Sequence, residues 1–160
     1  MATIYLAGGC FWGVEEYFQR TPGVIDTQVG YINSKIKNPS YQEVCTGRTQ
    51  AAEGLKLSYD PKKISQKEIL DHFYKIIDPY LLNRQGNDIG SQYRTGVYYQ
   101  NEEDKKTYEA DRLSRQVQTD RQILVEVEVL ENFYPAEEVH QRYLKKNPMG
   151  YCHIQLPQID

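Results

Sequence analysis

The chain has 160 residues, 39% of them hydrophobic and 26% charged, and a formal net charge of −3. That balance suits one globular domain, expected over 1–160, which buries roughly two-thirds of its unfolded surface and needs no disulfide scaffold. With 22 acidic against 19 basic side chains and no basic stripe, the composition argues against nucleic acid as a partner.

The predicted elements follow in chain order. Residues 3–7 read as a short buried strand. A helix begins at about Cys10, with Phe11, Val14 and Phe18 on its core face and Glu15, Glu16, Gln19 and Arg20 facing away. Pro22-Gly23 stops it, and Ile25, Thr27, Val29 and Tyr31 alternate as a second strand. Residues 40–45 make one or two helical turns before a strand with Leu55, Leu57 and Tyr59 on one face, a parity that Glu53 shares. Ser65 and Glu68 form a capping box for a helix with Ile69, Phe73, Ile76 and Ile77 as its core stripe. Residues 93–99 read as a strand, 101 to about 118 as a solvated helix, and Val125, Val127 and Val129 as a further strand. Pro135 suits the first turn of a last helix running to Lys145, and Cys152 rides on a mobile coil tail over 147–160. Strands interleaved with helices, several of them alternating on one side only, predict an α+β sheet with helices packed on it.

No stretch reaches the ~20 apolar residues that span a bilayer. The N-terminus also lacks the positive charge of a secretory signal. Both point to no membrane and to a cytoplasmic, reducing setting in which Cys10, Cys45 and Cys152 rest as thiols.

The turn from the first strand into the first helix is glycine-rich, but Val14 and Glu15 stand where a phosphate-binding loop needs Lys and Ser or Thr. It holds instead a cysteine at a helix start, where free amides and the helix dipole favour a thiolate. Cys10 is then either a reactive thiol or a small buried hydrophobe beside Phe11 and Trp12. Glu53, projecting from an apolar strand face, is either a protonated general acid or a solvated residue at a frayed end. Cys152 is a second thiol or an incidental one, and Cys45 reads as structural. Three cysteines and three scattered histidines, His72, His140 and His153, offer no zinc spacing, so no metal or cofactor is expected.

Gly9-Cys10-Phe11-Trp12-Gly13 resembles the active-site signature of the A-class peptide methionine sulfoxide reductases. Asn38-Pro39-Ser40-Tyr41, Val44-Cys45-Thr46-Gly47, Arg84-Gln85-Gly86-Asn87-Asp88, Gln92-Tyr93-Arg94 and Asn147-Pro148-Met149-Gly150-Tyr151-Cys152 are similar to family segments in family order. The resemblance implies that Cys10 attacks the sulfur of a methionine S-sulfoxide, protein-bound or free, giving methionine and a sulfenic acid. It further implies Glu53 as proton donor, Tyr41 and Tyr93 holding the oxygen, Phe11 and Trp12 walling the substrate methyl, and Asp88 orienting the site. Cys152 matches the resolving cysteine that forms a disulfide with Cys10, reduced in turn by thioredoxin. The implied fold is a two-layer α/β sandwich with a ferredoxin-like core, a mixed sheet flanked by helices and a coil C-terminal tail, acting as a monomer. Two departures stand out. Many members carry a histidine two residues before the acid and another before the Asp-Pro pair, where this chain has Ala51 and Ile77. A thiol peroxidase and a non-catalytic sulfoxide-binding module are the competing readings.

Overall fold

The computed structural model describes residues 1–156 and shows a mixed α/β fold. β1 (Ala2–Gly8) leads into α1 (Phe11–Gln19), followed by β2 (Val24–Ile32), α2 (Tyr41–Cys45), β3 (Ala52–Tyr59) and α3 (Gln66–Ile76). A small hairpin, β4 (Arg84–Gln85) and β5 (Asp88–Ile89), precedes β6 (Thr95–Tyr99), α4 (Glu102–Gln116), β7 (Glu126–Val129), β8 (Phe133–Pro135) and α5 (Tyr143–Lys146). The main sheet has the order β7-β6-β1-β3-β2-β8. The β6–β7 pair is parallel and the other pairs are antiparallel.

The alternation in β1 explains the layers. Ile4 and Leu6 point into the larger core with Phe11, Val14, Phe18, Ile69, Leu70 and Phe73 from α1 and α3. Tyr5 and Ala7 point to the opposite face, into a small cluster with Ile32, Ala52 and Tyr98 that Leu130 and Phe133 cover. The capping box predicted for α3 is present: the Ser65 hydroxyl accepts from the Glu68 amide and the Glu68 carboxylate accepts from the Ser65 amide. Ser40 and Glu43 repeat the motif at α2. Along β2, Thr27, Val29 and Tyr31 are buried as their parity requires, but Ile25 is exposed, because a bulge between Val24 and Asp26 breaks the alternation.

Three expectations are corrected. Pro135 ends a strand instead of opening a helix, and the last helix breaks into a single 3-10 turn over Glu138–His140 and the short α5, with Arg142 between them in the left-handed region. Glu15 and Glu16 are buried, because this C-terminal segment covers their side of α1. The Arg142 amide and the Thr27 hydroxyl both donate to the Glu15 carboxylate, at 2.6 and 2.8 Å. Over its described part, 147–156, the tail is coil, as expected, but docked: Ile154 is buried in the main core, and His153 bonds the Gly8 carbonyl; the rest of the predicted tail lies outside the described residues.

Candidate active site

The end of β1 places Cys10, the candidate nucleophile. Gly9 has φ +88°, and a Cβ there would lie 2.7 Å from the Gln85 side chain, so only glycine makes this turn. Cys10 follows as the N-cap of α1, with only 7% of its surface exposed. Glu53 sits on β3, the strand beside β1. Continuing the register from Leu6 opposite Leu55 brings Glu53 level with Gly8 at the foot of the Cys10 turn. On its other side Glu53 pairs with Tyr31 of β2.

Glu53 is 1% exposed and is no frayed end. Its Oε1 accepts the Phe11 amide at 3.3 Å, while Oε2 is buried with no hydrogen-bond partner. Burial pushes its carboxyl up to about 8, and nearby Asp88 adds to the rise. A carboxylic acid that keeps its proton at neutral pH, with one oxygen pinned and the other free, is equipped to donate that proton.

Cys10 departs from the thiolate that its helix-start position favours. Burial drives its thiol above the ordinary range, Glu53 and Asp88 push the same way, and the Trp12 amide, the main contribution of the helix start, opposes them without prevailing. One backbone donor does not replace the hydration that an almost fully buried sulfur gives up.

Tyr41 opens α2, and Tyr93 closes a 3-10 turn over Ser91–Tyr93. Both phenols lie close enough to Glu53 to be shifted by its charge, and both are held protonated first by burial. Tyr93 also senses Asp88 and Cys10. Asp88 lies on the β4–β5 hairpin with Oδ2 buried and without a partner. The hairpin is held down by Gln85, whose amide group bridges the Asp78 backbone N–H and C=O at 2.8 Å each. The structure therefore gathers Cys10, Glu53, Tyr41, Tyr93 and Asp88 from five separate segments.

Phe11 and Trp12 build a wall. Trp12 stacks on Tyr143 with ring centroids 3.8 Å apart, and its Nε1–H donates to His140 Nδ1 at 3.1 Å. His140 packs against Tyr41 at 4.3 Å and Phe11 at 5.6 Å. It is buried, which lowers its basicity, so the neutral ring accepts the indole proton. Glu137 joins this wall to the sheet: it accepts from the Tyr31 hydroxyl at 2.8 Å and the Tyr41 amide at 2.9 Å. The sequence offers His140 only as one of three scattered histidines and gives Glu137 and Tyr143 no part. The short spacing Glu137, His140, Tyr143 near the second cysteine was the available signal.

Cys152 reaches the same region. A Cβ on Gly13, one turn into α1, would lie 2.9 Å from the Cys152 Sγ, and Cys152 is close enough to Cys10 to add to the rise of its thiol. All three cysteines are free thiols. Cys45, read as structural, is exposed, and its thiol lies near the Tyr41 side chain one turn earlier on α2.

The family model for peptide methionine sulfoxide reductases matches residues 2–160. The chain belongs to that family. The reductase is 57% identical over 158 residues to the peptide methionine sulfoxide reductase MsrA of Clostridium tetani, an alignment covering 98% of this chain and 95% of the relative. Its fold superposes on the reduced form of Mxr1 from Saccharomyces cerevisiae with a TM-score of 0.91 at 38% identity, covering 98% of this chain and 92% of the other. Mxr1 in complex with Trx2 aligns with a TM-score of 0.63 at 27% identity, over 89% and 84% of the two chains. The protein is an oxidoreductase, a peptide-methionine (S)-S-oxide reductase.

Proposed function

We propose that the reductase works through a Cys10 sulfenic acid, with Glu53 as proton donor. The observation that carries this is the free, buried Oε2 of an acid held up to about 8 beside the nucleophile. Sulfoxide oxygen is a poor leaving group until it is protonated. Glu53 Oε2 gives it a proton while the Tyr41 and Tyr93 hydroxyls donate hydrogen bonds to it. The positive charge that develops on the substrate favours a thiolate at Cys10, whose proton passes to the newly ionised Glu53. The Cys10 sulfur then takes the oxygen, leaving methionine and a sulfenic acid. The neutral resting thiol fits this order of events: the nucleophile is switched on by the protonated substrate.

The substrate methyl packs on Phe11 and Trp12, and Asp88 orients the polar side of the site. Selectivity for the S epimer follows from the split between wall and donors, since the mirror arrangement sets oxygen on the aromatic wall and strands buried hydroxyls. Cys152 attacks the sulfenic acid to form a disulfide and release water. Thioredoxin reduces that disulfide, a step supported by the yeast relative solved with Trx2. The substrates are methionine S-sulfoxides, protein-bound or free. The core is read as ferredoxin-like on the strand order β6-β1-β3-β2 with α1 and α3 as crossovers. The reading extends to a single catalytic unit over 1–160, monomeric and in a reducing cytoplasm, in keeping with its three free thiols.

A chiral assay tests the reading. Incubated with dithiothreitol and the separated epimers of N-acetyl-methionine sulfoxide, the reductase should consume the S epimer and leave the R epimer. Equal consumption of both, or none of either, overturns it.

A further inference from the structure

We propose that His153 is the general base that deprotonates Cys152 when it attacks the Cys10 sulfenic acid. The inference rests on the resolving role given to Cys152 above. It starts from a tautomer. The His153 Nε2 lies 2.9 Å from the Gly8 carbonyl oxygen, which only accepts, so Nε2 carries the proton and Nδ1 the lone pair. That Nδ1 is buried and has no hydrogen-bond partner. An orphaned imidazole nitrogen in the interior is costly, and here it and the Cys152 thiol both lie beside the Cα of Gly13.

The position of the ring is set by two glycines. A Cβ on Gly9 would lie 3.0 Å from His153 Nε2, and one on Gly13 would lie 3.6 Å from Nδ1 and 2.9 Å from the Cys152 Sγ. The imidazole thus lies along the Cys10 turn, and its free nitrogen and the second thiol converge on one point above α1. A Cβ added to Gly86 of the hairpin would lie 3.5 Å from the His153 Cβ, in ordinary contact. The bond to Gly8 keeps the ring from turning away.

Cys152 needs such a partner. Its thiol is half-buried and raised by that burial, which the Ile154 backbone only partly offsets, and it donates to the Ile154 carbonyl at 3.2 Å. His153 is kept neutral by burial and so is ready to accept a proton, and Asp88 stabilises the imidazolium once it forms. In the step itself the Cys152 proton passes to Nδ1 as the Sγ–Sγ bond forms. The S–O bond of the sulfenic acid breaks, and the departing hydroxide takes the proton from Nδ1 to leave as water. The Cys10 sulfur is reduced and the Cys152 sulfur oxidised by the same electron. A cavity of about 370 Å³ lined by Tyr17, Lys75, Ile154 and His153 borders this segment. Asp88, Lys75, Tyr17 and Cys152 are the titratable groups around it.

The test separates the two chemical steps in a single turnover with N-acetyl-methionine S-sulfoxide. Methionine is measured directly, and disulfide closure by quenched alkylation and mass spectrometry. His153→Gln can keep the bond to the Gly8 carbonyl but supplies no base. It should release methionine at the wild-type rate and close the disulfide about a hundredfold more slowly. Its closure rate should climb through the thiol's own titration range, where the wild type is already level once the imidazole is neutral. Closure at the wild-type rate and pH profile overturns the base role, as does an equal slowing of both steps, which marks a structural defect. Cys152→Ser run in parallel checks the underlying reading: if it still cycles with thioredoxin, the resolving assignment and this inference fall together.

Discussion

The Phe11 amide donates to Glu53 Oε1 at 3.3 Å, and Phe11 is the residue directly after Cys10. A backbone bond from the first turn of α1 therefore holds the acid in place beside the nucleophile, and the oxygen it leaves free is the one without a partner. Positioning by backbone does not depend on the flexible side chain that an ion pair would need.

Replacing Glu53 by Gln keeps an acceptor for the Phe11 amide and removes the transferable proton. Methionine release in a single turnover should slow about a hundredfold or more. In the wild type the same rate should hold below pH 8 and fall as pH rises through about 8, where the acid loses its proton. A Gln variant with the wild-type rate and pH profile removes Glu53 from the chemistry.

The same carboxyl makes stability depend on pH, with a definite sign. Its folded value is raised to about 8 from 4.5, so between those limits the folded state keeps a proton that the unfolded chain has released. Wild-type stability relative to Glu53→Gln is then full below about 4.5, falls as pH rises through this window, and levels off above about 8. Thermal melts on either side of the window should show the variant gaining several degrees at the alkaline end. A gap that stays constant across it means that the carboxyl is not protonated in the fold.

Glu137→Ala should cost about 2 kcal/mol, because it leaves the buried Tyr31 hydroxyl and the Tyr41 amide without their acceptor. Urea titration measures this directly. Since Tyr41 and the His140 wall move with that bond, KM for a sulfoxide peptide should rise as well. Unchanged stability shows that water takes over the lost acceptor.

Gly13→Ala tests where the tail passes. The added Cβ falls 2.9 Å from the Cys152 Sγ, while alanine in a helix is favoured over glycine by about 0.5–1 kcal/mol. Stability should hold or rise, the first turnover should be preserved, and disulfide closure should slow. Normal closure by this variant means that Cys152 approaches Cys10 by another path.

Much of the fold was legible because it is local chemistry. The capping box at Ser65 and Glu68, the period of α3, the alternation in β3 and the Cys10 turn are each set within a few residues, and the buried parity of Glu53 was visible from Leu55 and Leu57 alone. Ile25, Glu15, Glu16 and His140 were misread for a common reason. The exposure of Ile25 is set by a bulge and the burial of the others by a segment more than a hundred residues away in the chain, which no local periodicity records.

By itself, the sequence determined the candidate groups: a cysteine after a glycine turn, an acid on an apolar strand face, tyrosines, and a late second thiol. The tertiary structure alone decided their states. Burial protonates Glu53 and Cys10 alike, against the helix-start field that favours a thiolate. It also draws the tail onto α1, leaving His153 Nδ1 without a partner. Ionisation depends on how much water the fold removes, and that is fixed by packing between distant segments.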